Sequence, residues 1–218
     1  EGPAGIPLVW VPGGSFMMGS EDGDSDEEPV HRVELSGFWI GKFEVTNDQY
    51  VAFLNDEEPD DVSEWLDLDD EDCEIERTGG RYRAQSGRGD HPVVEVSWYG
   101  AEAYCEHYGL QLPTEAQWEC AARGPDSRRY PWGDEWDEDP LCWDENRGTR
   151  GRTFPVGSFS SGASWCGALD MSGNVWEWCA DWYDSDHYES ASATDPTGPS
   201  SGGSRVLRGG SCYYYAYC

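Results

Sequence analysis

The sequence predicts a single α+β domain with little regular secondary structure. Three segments begin with residues that cap helices, and several short runs alternate between apolar and polar residues as antiparallel strands do. The 218 residues include 27 glycines and 13 prolines, a composition that implies many turns. Because no internal repeat or linker divides the chain, we expect two or three helices beside short antiparallel strands, joined by long ordered loops.

The segment before residue 46 is expected to form strands. Residues 8–19 predict a strand, a Pro-Gly-Gly turn and a second strand. An acidic loop follows at residues 21–28, and residues 31–45 alternate like strands interrupted at Gly37 and Gly41.

Each predicted helix begins at a side chain that can accept a hydrogen bond from its first turn. Thr46 and Thr114 are each followed three residues later by glutamine, the capping-box arrangement. Ser97 is expected to cap the helix between them, and Gly109 to end it.

Residues 56–76 form an acidic insertion, DEEPDDVSEWLDLDDEDCEIE. Trp65, Leu66 and Leu68 interrupt its charges and are expected to tether it to the body of the domain. A calcium loop is the alternative to a solvated excursion, but the spacing and the glycine of an EF-hand are absent.

Acidic residues dominate the charge of the chain, which is −30 at pH 7. Such a surface repels phosphates and anionic lipids, so we expect no nucleic-acid partner and no membrane insertion. Calcium coordination and adaptation to high salt both explain excess acid. Because 44 carboxylates far exceed the needs of one or two ions, a high-salt environment and an archaeal or halophilic source are favoured.

The chain contains eight cysteines: Cys73, Cys105, Cys120, Cys142, Cys166, Cys179, Cys212 and Cys218. No C-x-x-C pair occurs, which argues against a zinc ribbon or a thioredoxin-type motif. The sequence leaves open whether any of these cysteines pair as disulfides.

Seven phrases follow one another along nearly the whole chain. They are VWVPGGSFMMGS (9–20), FEVTNDQYVAFL (43–54), HPVVEVSWYGAEAYC (91–105), LPTEAQWECAAR (112–123), YPWGD (130–134), GALDMSGNVWEWCADWY (167–183) and RVLRGGS (205–211). In this order they resemble the domain of the formylglycine-generating enzymes, or sulfatase-modifying factors. The resemblance implies a C-type lectin-like fold over residues 1–218. The family domain continues to a further strand, so we expect its C-terminal end to lie beyond Cys218.

One function that the resemblance implies is oxidation of a substrate cysteine to formylglycine, with copper held by two thiolates. Copper(I) prefers soft sulfur ligands, so two cysteines must converge on it. In the enzymes this pair follows the GGS turn as C-x4-C. Here Cys212 and Cys218 are separated by five residues, and the histidine and serine expected between them are missing.

The other implied function is ligand binding, as in the variable proteins of diversity-generating retroelements. Those proteins end in a hypervariable segment after the GGS turn, at positions whose asparagine codons mutate readily to tyrosine codons. Here Tyr213, Tyr214, Tyr215 and Tyr217 occupy such positions, directly after Cys212. Tyrosine offers a large, rigid contact area with a hydrogen-bonding tip, which suits a binding surface.

The segment 167–178 also predicts a metal site. The carboxylates of Asp170 and Glu177, with the main-chain carbonyls of Gly173 and Val175, would give calcium the oxygen ligands it requires. In the enzymes that the chain resembles, these positions hold a structural calcium ion. The alternative is that Asp170 caps a turn and Glu177 pairs with an arginine. The tryptophans at 176, 178 and 182 are expected in the core.

Together these observations favour a ligand-binding protein over an enzyme. Tyr213, Tyr214, Tyr215, Tyr217 and Cys212 are its expected contact residues, and the expected partner is a protein or a cell-surface ligand. A copper-dependent formylglycine-generating oxidase is the alternative, and a structural family member without activity is a third possibility. Display on a virion or a cell surface is compatible with the binding function.

Overall fold

The computed structural model describes residues 2–137, 139, 141–142 and 153–212. Within them the helices are α1 (Asn47–Glu57), α2 (Trp98–His107) and α3 (Glu115–Arg123). The strands are β1 (Leu8–Val11), β2 (Gly14–Met18), β3 (His31–Leu35), β4 (Phe38–Gly41), β5 (Ile75–Thr78), β6 (Arg81–Ala84), β7 (Glu177–Trp182) and β8 (Arg205–Arg208). These short elements, separated by long loops, match the mixed architecture that the sequence predicts.

The strands pair as antiparallel two-stranded ribbons, but not always with their neighbours in sequence. β1 pairs with β4, and β2 pairs with β3, so the Pro-Gly-Gly turn passes the chain from one ribbon to the next. β5 pairs with β6, and β7 pairs with β8 across an irregular register. The last ribbon ends at the RGGS turn and therefore sets the position of Cys212.

The three helix starts agree with the sequence prediction. Thr46 and Thr114 each accept a hydrogen bond from the amide three residues on, and each receives the reciprocal glutamine contact. Ser97 accepts a hydrogen bond from the amide of Gly100. α2 ends at His107, and Gly109 follows it at a φ of +66°, a conformation that favours glycine.

Two apolar clusters form the core of the described residues. One joins β2, β3, α3 and β8 around the fully buried Trp118, with Val33 and Phe16 among its members. The other joins α1 and α2 through Phe53 and Tyr104. The candidate site described below lies where α3, β7 and β8 meet the first cluster.

The acidic insertion is tethered as expected. Leu66 is 1% exposed and forms an isolated bridge with Val96, and the ring of Trp65 stacks on Phe53 at 5.2 Å. Leu68 packs against the same cluster. The acidic side chains between these anchors remain largely exposed, so the segment covers the α1–α2 core with an outward-facing charged surface.

Most carboxylates in the described part of the chain lie at the surface, and the buried ones are Glu44, Glu74, Glu119, Asp170 and Asp181. The same residues include no helix that is long and apolar enough to cross a bilayer. With a net charge of −30, mutual repulsion between surface carboxylates opposes the compact state.

We expect added salt to stabilise the protein. Raising potassium chloride from about 0.1 M to about 1 M shortens the screening length from roughly 10 Å to roughly 3 Å and so weakens the repulsion between carboxylates. The unfolding temperature, followed by circular dichroism with a chelator present, should rise by roughly 4 °C or more. An unchanged or lower unfolding temperature would contradict this view of the surface.

Candidate functional site

Asn174 links the loop before β7 to three other segments of the chain. It is 2% exposed, and its amide donates to the carbonyl of Cys142 at 3.0 Å. Its side-chain oxygen accepts from the amide of Phe154 at 2.9 Å, and its side-chain nitrogen donates to Glu44 Oε2 at 2.8 Å. Its carbonyl accepts from the amide of Cys212 at 3.0 Å. The residue that precedes the tyrosine run is therefore fixed to the centre of the domain.

Cys212 and Cys142 are neighbours in space, and the main chain of each is hydrogen-bonded to the main chain of Asn174. Both are 1% exposed, and their thiols share a hydrogen bond. Cys212 also lines a cleft of about 910 Å³. Its acidic wall includes Asp67 from the insertion and Glu95 from outside it, and its other lining residues include Trp176, Trp178 and Leu207.

A buried ion network holds β8 against α3. Arg208 Nη2 lies 2.8 Å from Glu119 Oε2, and its Nη1 lies 3.5 Å from Glu115 Oε1. The other carboxylate oxygen of Glu119 accepts from Arg123 at 2.6 Å and from the amide of Gly19 at 2.9 Å. The carboxylate of Glu119, which is 0% exposed, is thus compensated by two arginines and a main-chain amide.

The loop that precedes β7, with the first residue of β7, contains the residues predicted to bind calcium. Asp170, Gly173 and Asn174 have φ angles of +61°, +86° and +64°, which fold the loop tightly. A Cβ atom on Gly173 would collide with the carbonyl oxygen of Cys142, so glycine is required there for space as well as for conformation. Asp170 Oδ2 accepts from the amide of Gly157 at 2.6 Å, so this carboxylate does cap a turn.

Carboxylates crowd together around this loop. Burial, followed by repulsion from Asp170 and Glu177, holds the pKa of Glu44 well above its usual range. Burial also raises the pKa of Asp170, and it raises that of Glu177 to about 7. Glu177 Oε2 accepts from Trp118 Nε1 at 3.1 Å, and no arginine among the described residues pairs with it. Glu44 Oε1 is buried without a hydrogen-bond partner, a costly state that a nearby cation would relieve.

Within the described ranges, no three His, Cys, Asp or Glu side chains converge where a metal ion could bind. The predicted calcium site differs from such a cluster because it combines two carboxylates with two main-chain carbonyls. Its all-oxygen donors suit calcium, and the orphaned oxygen of Glu44 beside them is consistent with a missing positive charge.

Comparison with known proteins assigns the chain. The model of the sulfatase-modifying factor enzyme 1-like domain matches residues 5–218. The chain belongs to this family. Its fold is the C-type lectin-like fold of the formylglycine-generating enzymes, as the seven phrases predict.

Relatives of this family domain have different functions. The chain is 36% identical over 266 residues to the formylglycine-generating enzyme of Thermomonospora curvata, covering 97% of this chain and 84% of the enzyme. It is 43% identical over 209 residues to the serine/threonine-protein kinase Pkn1 of Chlamydia trachomatis, covering 93% of this chain but only 33% of that protein. The chain therefore spans about a third of the length of this kinase.

A solved structure shares the fold. Treponema denticola variable protein 1 superposes with a TM-score of 0.73 at 24% sequence identity, over 98% of this chain and 86% of that protein. At this identity the likeness establishes the fold alone.

The structure brings the four predicted calcium-site residues into one loop and its adjoining strand, and it places Cys212 at the cleft. Tyr213, Tyr214, Tyr215, Tyr217 and Cys218 lie outside the described residues. The binding surface and the alternative copper pair therefore remain predictions.

One expectation about the tryptophans is wrong. Trp176 is 42% exposed and lines the cleft. It directly precedes β7 and alternates with residues that point inward. Trp178 and Trp182 are only partly buried; the indole nitrogen of Trp178 donates to the carbonyl of Val96, and the guanidinium of Arg205 stacks on Trp182 at 3.5 Å. The aromatic run thus contributes to the surface as well as to packing.

Sequence reasoning missed Asn174, Glu44 and Cys142. Each acts through a partner far away in the chain, so local spacing gives no sign of it. The one available signal is the Gly-Asn pair at 173–174, a turn sequence that tolerates positive φ.

Replacing Arg208 with methionine should destabilise the protein strongly. The substitution leaves the buried Glu119 with one arginine fewer, and breaking a buried pair in this way costs about 3–5 kcal/mol. Unfolding in urea measures the change. The matched control is Arg32→Met on an exposed position of β3, which should change stability by about 0.5 kcal/mol or less. Equal effects of both substitutions would contradict the role given to Arg208.

Glu115 should make stability depend on pH. Burial, only partly opposed by Arg208, raises the pKa of Glu115 from its ordinary 4.5 to about 7. The folded state therefore binds a proton more tightly than the unfolded state does. The contribution is fully present below pH 4.5 and is lost as pH rises through about 7.

The Glu115→Gln variant should accordingly show a flatter fall in unfolding free energy between acidic and neutral pH than the wild type. The difference in the fall should be roughly 1–3 kcal/mol. Urea unfolding across this range measures it, and Glu76→Gln on the exposed face of β5 should keep the wild-type slope. A parallel pH profile for Glu115→Gln would show that this carboxyl does not titrate as described.

Proposed function

We propose that this chain is a ligand-binding protein that presents its C-terminal tyrosine run beside the acidic and aromatic cleft. The principal observation is the anchoring of Cys212, the residue immediately before the run. Its amide bonds to Asn174, its thiol bonds to Cys142, and it lines the cleft. A rigidly held residue at the start of the run reduces the conformational entropy lost when the following side chains bind a partner.

The cysteine spacing counts against a thiol pair made for copper, because the C-x5-C spacing of Cys212 and Cys218 departs from the C-x4-C pattern of the enzymes. Under the binding proposal, Cys212 supports the segment, and Tyr213, Tyr214, Tyr215 and Tyr217 contact the ligand.

The composition of the cleft supports a protein or cell-surface partner rather than a nucleic acid. Its acidic wall would repel phosphates, since Asp67 and Glu95 are already crowded with other carboxylates. Burial, followed by repulsion from Asp70, Asp72 and Asp67, raises the pKa of Glu95. The exposed Trp176 and Leu207 opposite offer apolar contact area of the type found at protein interfaces.

A structural calcium ion would complete the framework. The carboxylates of Asp170 and Glu177 and the carbonyls of Gly173 and Val175 would hold it. The ion would supply positive charge beside the carboxylates of Asp170, Glu177 and Glu44, whose Oε1 lacks a hydrogen-bond partner. It would also brace the loop that bears Asn174, and so the anchor of Cys212.

Variation by a diversity-generating retroelement would explain four tyrosines at these positions. The gene's surroundings test this part of the proposal separately. An adjacent reverse transcriptase gene and an imperfect repeat of the terminal codons are expected. Their absence would remove the retroelement origin but leave ligand binding to be judged by the experiments below.

A formylglycine-generating oxidase is the second candidate, favoured by 36% identity to an enzyme of that name over 84% of its length. Incubation with copper, oxygen and a CxPxR-containing peptide decides between the two. Conversion of the peptide cysteine to formylglycine, seen by mass spectrometry, would overturn the binding-only proposal.

A display library tests whether the run is an exchangeable surface. Randomising codons 213, 214, 215 and 217 should leave most variants folded, with unfolding temperatures within about 2 °C of the wild type, because exposed positions tolerate change. Selection against an unrelated folded protein should then yield binders. The matched control library randomises Trp10, Met17, Trp39 and Tyr99, which are exposed elsewhere.

Loss of folding in most members of the first library would mean that the tyrosines belong to the core. Equal yields of binders from both libraries would mean that any set of exposed positions can be selected for binding. Either result would reject the proposed binding surface.

Calcium should raise the unfolding temperature, and a chelator should reverse the rise. At a hundredfold excess over the dissociation constant, binding to the folded state alone adds about 2.7 kcal/mol, or roughly 5–10 °C for a chain of this size. The double variant Asp170→Ala, Glu177→Gln should lose this response. Glu34→Gln, at an exposed position of β3, should retain it. A calcium response that survives in the double variant would place the ion elsewhere.

A further inference from the structure

The thiols of Cys142 and Cys212 meet in the interior beside the cleft. Each residue is 1% exposed, and the two side chains share a hydrogen bond. Main-chain hydrogen bonds, both of 3.0 Å, join Asn174 to the carbonyl of Cys142 and to the amide of Cys212. These bonds to Asn174 therefore hold the main chains of the two cysteines close to each other.

Another neighbouring pair of cysteines provides a contrast. Cys166 Sγ lies 3.5 Å from the carbonyl oxygen of Ala121 and 3.3 Å from Ser164 Oγ, while Cys120 lies on α3 nearby. The sulfur of Cys166 therefore contacts oxygen atoms. At Cys142 the shared hydrogen bond directs one sulfur toward the other.

We propose that Cys142 and Cys212 close as an intramolecular disulfide when the protein meets a low-molecular-weight disulfide such as oxidised glutathione. Both thiols are buried, but Cys212 lines the cleft, so a local opening of the cleft wall would expose it first to a small oxidant. Bond formation needs the sulfur atoms to approach from hydrogen-bonding contact to covalent distance, a small movement for side chains whose backbones are already clamped.

The exchange balances in two steps. The Cys212 thiol loses its proton, and the thiolate attacks one sulfur of the oxidant, forming a mixed disulfide and releasing one glutathione thiolate. The Cys142 thiolate then attacks the Cys212 sulfur, forming the Cys142–Cys212 bond and releasing the second glutathione thiolate. The two protons lost by the protein leave with the two glutathione molecules. The protein is oxidised by two electrons, and the oxidant is reduced by two.

The bond would fix Cys212, the residue at which the C-terminal segment begins. It would close the chain between residues 142 and 212, which includes the Asp170–Glu177 loop, and such a closure restricts the unfolded state. Reduced motion of Cys212 beside the cleft would favour ligand binding. This consequence rests on the proposed function, whereas the disulfide itself does not.

Peptide mapping of the full chain tests the pair directly. The protein is purified in reductant, transferred to oxygen-free buffer, exposed to oxidised glutathione, blocked with N-ethylmaleimide and digested. The expected product joins the peptide containing Cys142 to the peptide containing Cys212 and is lighter by two hydrogen atoms than the two peptides together. The unfolding temperature should rise by roughly 5 °C or more and return on reduction.

Variants separate this bond from other thiol chemistry. Cys142→Ser and Cys212→Ser should each lose both the joined peptide and the rise in unfolding temperature. Cys105→Ser on α2 and Cys120→Ser on α3 should keep both. Because mapping is done on the wild type, a serine variant that fails to fold does not prevent a decision.

Three results would overturn the proposal. One is recovery of both cysteines blocked with N-ethylmaleimide after exposure to the oxidant. The second is glutathione that persists on Cys212 without transfer to Cys142. The third is a joined peptide that links either residue to a different cysteine. Ligand binding that is unaffected by a confirmed bond would leave the disulfide standing and remove only its consequence for the binding surface.

Discussion

The buried guanidinium of Arg208 is the interaction on which the arrangement of this domain depends. It joins the last described strand to α3 through Glu119, and Glu119 in turn binds Arg123 and the amide of Gly19. Burial alone would lower the pKa of Arg208, but the carboxylates of Glu119 and Glu115 raise it above its usual value. Because Glu119 is fully buried and the side chains of Arg208 and Arg123 are only 11% and 14% exposed, removing one charge leaves another poorly compensated. The network therefore fixes the direction in which the chain leaves β8.

A second constraint acts on the chain directly after β8. After Arg208, two glycines at φ of +91° and +75° turn the chain toward Asn174, whose carbonyl receives the amide of Cys212. Asn174 belongs to the loop that crowds the carboxylates of Asp170 and Glu177 against Glu44. Anchor and charge are thus coupled: any cation that relieves the repulsion would also hold the loop that positions Cys212.

The fold hosts both catalysts and binding proteins, so function has to be argued from the site. In this chain Cys212 lies beside Cys142, a residue 70 positions earlier in the sequence, and both are buried. The exposed Trp176 and the acidic wall line the same cleft as Cys212.

The sequence by itself determined the helix starts at Thr46, Ser97 and Thr114, the tether through Leu66 and the family, because these depend on residues close together in the chain or on ordered phrases. Only the tertiary structure decided that β1 pairs with β4, that Trp176 faces outward, and that Asn174 lies between Cys142 and Cys212. These are contacts between distant segments, and neither propensity nor spacing encodes which distant partner satisfies a buried hydrogen bond or charge.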